Sequence, residues 1–343
     1  MPVVQALARC ACPKTRGGQL RLTADSARRD CYPARTEMRS HGRTTPRDEE
    51  QTSRAYLFML ASALSFAAMG AASHLAGERC DWHLVAFARS SLAFLFTLSL
   101  SLSAGVRLAL LRPAILWMRS LAGSVGVLFA FYALTHLPVS TALTLSNTVP
   151  VWVTLLAWPV LGQRPGANVW AAIAIGLAGI VLIQRPEAAG DRVAALLALG
   201  NAFSTSVSMI GLNRLGGVDA RAVVTHFSGV STVITFIFLL LAGAGVDYAV
   251  LRDTTTVTLL FVVGLAATAG QLTMTKAFAL GSPSRVSVVG LMQIVFALVF
   301  DLALWHRAFD ALALLGIALV VGPSAWLMLH NPLRRDAPIH TTS

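Results

Sequence analysis

Three polar positions stand inside stretches otherwise made of Ala, Leu, Val and Phe, and they are where this chain can do chemistry. Arg89 lies in HLVAFARSSLAFLFTLSLSL, Asp301 in VFALVFDLALWH, and Asn147 in STALTLSNTVPVWVTLL. Burying an ionisable group in an apolar segment is expensive unless it is paired or neutralised, so each is a functional candidate by default. Arg89 suits a carboxylate or phosphate, and equally suits holding helix ends through backbone carbonyls. Asp301 fits a proton-coupling carboxylate, or an interfacial acid paired with His306 or Arg307. Pro150 has no N–H to give the Ser146 carbonyl, while the Asn147 side chain offers a donor and an acceptor. That pairing predicts a kinked turn with free polar groups. The plainer alternative is one interhelical hydrogen bond.

The same two readings apply to Asn201, Gln271 and Gln293. Trp152 lies deep enough to line a cavity, or packs like Trp117, Trp158 and Trp170. His226 is a proton-relay candidate because histidine titrates near neutrality, although a lone helical histidine is more often a packing residue. Arg119 and Lys276 lie near helix ends, where long cationic side chains snorkel to the surface. Glycines at helical spacing (Gly123 and Gly126, Gly176 and Gly179, Gly264 and Gly270) mark close-packing faces. Gly176 and Gly179 also fit a homodimer face.

Enzyme chemistry finds no support. The chain has no His-Glu-x-x-His, no Gly-x-Ser-x-Gly and no Walker-type phosphate loop. Cys10, Cys12, Cys31 and Cys80 lack the spacing and histidine partners of a zinc site and read as unpaired. Neither metal nor cofactor is expected.

The elements that must carry these residues are helices of membrane length. Of the 343 residues 55% are hydrophobic and only 13% are charged, with a mean hydropathy of +0.67. A soluble domain carries roughly a quarter charged residues. Eleven of the 27 Lys and Arg fall in residues 1–54. Beyond them lie ten apolar blocks, at 55–76, 83–104, 115–134, 139–161, 169–183, 193–212, 222–242, 256–277, 285–304 and 311–329. Most approach the roughly 20 residues that a bilayer core demands. Block 169–183 is the shortest. Charges, Gly and Pro punctuate the separators. The predicted fold is all-α, with ten transmembrane helices.

The net charge of +11 follows from the basic tail and loops, not from a nucleic-acid surface. Arg/Lys bias places both termini on the cytoplasmic side of the inner (plasma) membrane. Residues 1–53 are predicted to be a disordered basic tail, with Met38 competing with Met1 as start residue, and 331–343 a short C-terminal tail. Placing Gln163-Arg164 over His306-Arg307 brings blocks four and five over nine and ten. Each half then has five helices, 54–186 and 187–330. Five is odd, so the halves enter the membrane with opposite orientation, as in alternating-access carriers.

The segments FYALTHLPVSTALTLSNTVPVWVTLLAWPVLGQRP and AFALGSPSRVSVVGLMQIVFALVFDLALWHRAF resemble the paired EamA-type repeats of the drug/metabolite transporter superfamily. An aromatic-x-Ala-Leu ends the third helix, a Pro-Val sits near the middle of the fourth, and a small-residue-rich fifth helix ends in Arg-Pro. Arg89 also matches. The resemblance covers about residues 55–330. It implies a secondary transporter of small organic metabolites, such as amino acids, their derivatives or drug-like solutes, commonly an exporter. One departure stands out. The family's Leu-Gly-Glu turn reads Leu161-Gly162-Gln163 here, and Leu304-Trp305-His306 in the second copy, so both acids are lost. A non-transporting membrane scaffold or sensor is the competing expectation. It leaves the repeat unexplained.

Overall fold

The computed structural model describes residues 46–108, 113–137, 139–185, 191–241, 248–306 and 309–330. Cys10, Cys12, Cys31, both candidate start residues and most of the basic tail lie outside them, as does Arg307. Among the described residues the ten blocks become twelve α-helices. They are α1 (Pro46–Gly77), α2 (Trp82–Ser103), α3 (Ala114–His136), α4 (Val139–Ser146), α5 (Val149–Leu161), α6 (Ala167–Gln184), α7 (Arg192–Arg214), α8 (Ala220–Leu241), α9 (Thr254–Leu280), α10 (Pro283–Gly290), α11 (Met292–Trp305) and α12 (Ala311–His330). The difference in number has one cause. Blocks four and nine are each broken, into α4 with α5 and α10 with α11. Among the described residues nine spans are long and apolar enough to cross a membrane, with α3 contributing a shorter apolar stretch, Ala114–Ala130. Large apolar side chains such as Leu196, Leu265, Val299 and Leu329 stand exposed on the helix surfaces, as a lipid-facing exterior requires.

Five aspartates between helices cap helix starts. Asp81 accepts the His83 N–H at 2.8 Å, Asp191 that of Val193 at 2.8 Å, and Asp219 that of Arg221 at 2.8 Å. Asp253 accepts from Thr255 and Thr256, and Asp310 from Ala313 at 3.0 Å. Each satisfies N–H groups that a helix start leaves open, and places negative charge at the positive end of the dipole. Left-handed backbone ends α5 at Gly162 (φ 68°) and α11 at His306 (φ 50°). The structural counterpart of Gly162 is therefore His306. This is one position away from the register that sets His306 over Gln163, because α11 is one residue longer than α5 (14 against 13 residues).

The most extensive pairings are α3 with α7, α2 with α8 and α6 with α12. Glycine makes them close. A Cβ on Gly123 would meet Ser208 Oγ and the Phe227 ring, and one on Gly229 of α8 would lie 3.1 Å from the Phe94 ring of α2. Gly179 and Gly316 are reciprocal, since a Cβ on either would approach the other's carbonyl oxygen, at 2.6 and 2.7 Å. This corrects the reading of Gly176 and Gly179 as a dimer face. Gly176 receives the Leu291 side chain and Gly179 receives α12, so that face is already used inside the molecule.

Candidate functional site

The first break gathers the polar groups. The Asn147 N–H and side-chain Nδ2 both donate to the Leu143 carbonyl, at 2.9 and 2.7 Å. Thr148 Oγ1 donates to the Leu145 carbonyl at 2.7 Å. The helix thus closes on its own side chains at Ser146–Thr148, and α5 restarts with Pro150 in its first turn, where a missing N–H costs nothing. The predicted kink is a full interruption.

Helix α7 supplies the wall. Asn201 Nδ2 donates to Ser146 Oγ at 3.1 Å, and Thr205 Oγ1 donates to Asn201 Oδ1 at 3.2 Å. The Ser206 hydroxyl lies 3.1 Å from the Val149 carbonyl. Trp152 meets Phe203 edge to face, with centroids 5.5 Å apart. Gly126 of α3 closes in on Asn201 and Thr205, its Cβ position 3.2 and 3.1 Å from their side-chain oxygens. Ser146, Val149 and Trp152 therefore meet α7 at this break, with Asn147 and Pro150 beside them in sequence. Among the described residues no protein donor reaches Asn147 Oδ1, which leaves an acceptor beside the break.

The second break, at Leu291, is different. Leu291 is buried with Ile180, Ile294 and Val320, between α6 and α12. The first break is lined by polar side chains, whereas Leu291 at the second is packed in hydrocarbon.

Arg119 corrects another expectation. Instead of snorkelling, it is 1% exposed. Its Nη2 donates to Gln271 Oε1 at 3.0 Å, and its guanidinium carbon lies 3.9 Å from the Phe227 ring centroid. The reason is that α7, α8 and α9 cover this face of α3, with Gly211 letting α7 approach to where a Cβ would be 3.2 Å from Arg119 Cβ. Next to it Ser120 Oγ lies 2.8 Å from His226 Nδ1, and Trp117 meets His226 edge-on at 4.6 Å. Gln271 and His226 thus join Arg119 rather than the α4–α5 break. Lys276, by contrast, is exposed, its ammonium 5.3 Å from the Phe58 ring.

The remaining candidates are separate. Half-buried Arg89 donates from Nε to Met69 Sδ at 3.2 Å. Gln293 is exposed at the start of α11, and Asp301 is half-buried towards its end. Sequence reasoning also missed Arg285, which is 9% exposed on α10 beside Tyr56. No local signal distinguishes it from a loop arginine after a proline.

Helices of this number and hydropathy, one of them broken around polar side chains, define a multi-pass membrane protein. The chain belongs to the EamA-like transporter family, whose model matches twice, over residues 53–185 and 192–329. It is 26% identical over 267 residues to the Pseudopaline exporter CntI of Pseudomonas aeruginosa, covering 77% of this chain and 92% of that one. It is 28% identical over 255 residues to a riboflavin transporter of Rhizobium johnstonii, covering 73% and 82%. Solute carrier family 35 member G1 of mouse is 24% identical over 214 residues, covering 56% and 55%. A crystal structure of a protein 20% identical in sequence superposes with a TM-score of 0.71, over 82% of this chain and 100% of that one, and so shares the fold. A membrane transporter is the class that follows.

Proposed function

We propose that this protein is a secondary carrier of small organic metabolites that exports its solute by alternating access from the cytoplasm across the inner membrane. The observation that carries this is the polar break at Ser146–Thr148 walled by Asn201, Thr205 and Ser206. Asn147 lies eight residues beyond Val139, about 12 Å into the span. Interrupted helices near the midplane are where carriers place binding groups, because unpaired backbone survives in a bilayer only beside protein or a cavity.

The two family matches and the helix pairing support two inverted five-helix repeats. Helices α2 and α8, and α6 and α12, are corresponding elements of the two matched stretches, and each packs on its counterpart. Such self-pairing is what a two-fold axis produces. In this reading ten helices cross the bilayer, Asn147, Pro150, Trp152 and Asn201 receive the solute, and both termini face the cytoplasm. Arg89, Gln271 and Gln293 line its path, and Asp301 and His226 are proton-coupling candidates.

Flux into proteoliposomes across a broad metabolite panel tests it. Asn147→Ala and Asn201→Ala are expected to cut transport at least tenfold. The first deletes one side-chain hydrogen bond and the second two, each worth only about 0.6 kcal/mol in a membrane, so thermal stability should change little. Absence of movement for every solute would return the scaffold reading.

A further inference from the structure

Arg119 is a cation without a counter-charge. Gln271 takes one of its five N–H groups, and Nε and Nη1 are enclosed with no acceptor. Among the described residues no acid pairs with it. Its surroundings are neutral or aromatic: Gln271, Phe227, Gly211, and the Ser120–His226 pair alongside. A buried charge left uncompensated is strongly destabilising, whereas an apolar side chain of similar volume at the same place is often neutral or better. The fold does not explain an arginine here.

We infer that Arg119, with Gln271, forms an anion subsite that takes the carboxylate of the transported solute. This rests on the carrier reading above and narrows its substrate class to carboxylate-bearing metabolites. A guanidinium has the planar fork that a carboxylate fits, and Gln271 orients it from the side. One fixed cation under an aromatic roof matches one carboxylate. A phosphate ester, with close to two charges, would lack a second cation here. The glycines at 123 and 126 link this subsite to the break. Gly123 of α3 lies against Ser208 and Phe227, and Gly126 lies against Asn201 and Thr205. One face of α3 thus runs from the carboxylate end to the polar wall of α7. The guanidinium is enclosed in this conformation, so the solute reaches it when α8 moves away from α3.

The purified full-length protein in detergent is the test, with thermal unfolding measured at constant ionic strength. The probes are the monocarboxylates benzoate, acetate and lactate, against benzamide, acetamide, lactamide and inorganic phosphate. The carboxylates are expected to raise the unfolding temperature, and the amides and phosphate are not. The shift should vanish in Arg119→Gln and persist in part in Arg119→Lys. Without ligand, Arg119→Gln should be at least as stable as the parent, because it removes an unpaired charge. Equal shifts from carboxylates and amides in the parent, which need no variant, would overturn the subsite. So would an undiminished carboxylate shift in Arg119→Gln, or a larger shift from phosphate than from any carboxylate. The same solutes in proteoliposomes separate the two ideas. Solute movement that does not distinguish acid from amide keeps the carrier and removes the subsite. An Arg119-dependent carboxylate shift with no movement of any solute keeps the subsite and removes the carrier.

Discussion

Arg89 shows how little one residue's chemistry settles until its neighbours are known. The alternative to solute binding was that it braces helix ends through backbone carbonyls. Its protein partner is instead the Met69 thioether, at 3.2 Å, one of the weakest acceptors available. A thioether does not brace a helix end, and the solute role of Arg89 stays a proposal for experiment. Arg89→Ala should unfold within about 2 °C of the parent, the equivalent of roughly 1 kcal/mol for a chain of this length, while proteoliposome flux falls tenfold or more. Near-normal flux with a lowered unfolding temperature would restore the bracing role. Arg119 is the complementary lesson. Its distance from the start of α3 was legible in the sequence and suggested a snorkel. That α7, α8 and α9 all cover this face was not legible, because coverage depends on contacts distant in sequence.

Helix boundaries were mostly readable, because charge, Gly and Pro fall where a bilayer requires the chain to turn. The break at Asn147 had a local signal in Pro150. The Leu291 break had only the weaker signal of Gly290, the last residue of α10. It exists because Leu291 inserts against Gly176, where a Cβ would be 2.9 Å away, and joins Ile180 and Val320. The glycine spacing was visible, but its purpose was not, and the dimer face it suggested is filled by α12. The contact between Gly179 and Gly316 is the sharpest test at this scale. Each helix approaches the other's backbone carbonyl there, and backbone cannot rotate away as a side chain can. Gly179→Val or Gly316→Val should cost at least the ~3 kcal/mol upper end of overpacking, read as loss of the monodisperse peak in size-exclusion chromatography or a large fall in unfolding temperature. Gly322→Val, on the same α12 with open space at its Cβ position, is the control expected to behave as the parent.

The molecule is fastened differently at its two ends. Where α5, α7 and α9 finish, the contacts go to carbonyls. Arg214 donates to the Val160 carbonyl, and Asn213 Nδ2 donates to those of Phe278 and Gly281 at 2.7 and 3.2 Å. None of these changes with pH in the acid range. At the opposite end two ion pairs join the two family-matched stretches, Arg79 with Asp253 at 3.3 Å and Arg185 with Asp310. The Asp253 carboxyl is held below its ordinary value, first by the Thr256 hydroxyl and then by backbone N–H groups and Arg79. Asp310 is lowered chiefly by the hydrogen bond from Arg185. A carboxyl whose value falls on folding stabilises the folded chain fully above its unfolded value, about 4, and loses that contribution as pH drops through the folded value. The unfolding temperature should hold level from pH 7 to pH 5 and decline below about pH 4. Asp253→Asn with Asp310→Asn keeps side chains able to cap α9 and α12 but removes both charges. It should start slightly lower at neutral pH and decline less steeply in acid. In a carrier this end alone would loosen on acidification, so cysteine pairs placed across it should cross-link less at pH 4 than at pH 7, while pairs across the α5–α7–α9 end stay unchanged. An equal change at both ends would mean that the ion pairs do not hold this end shut.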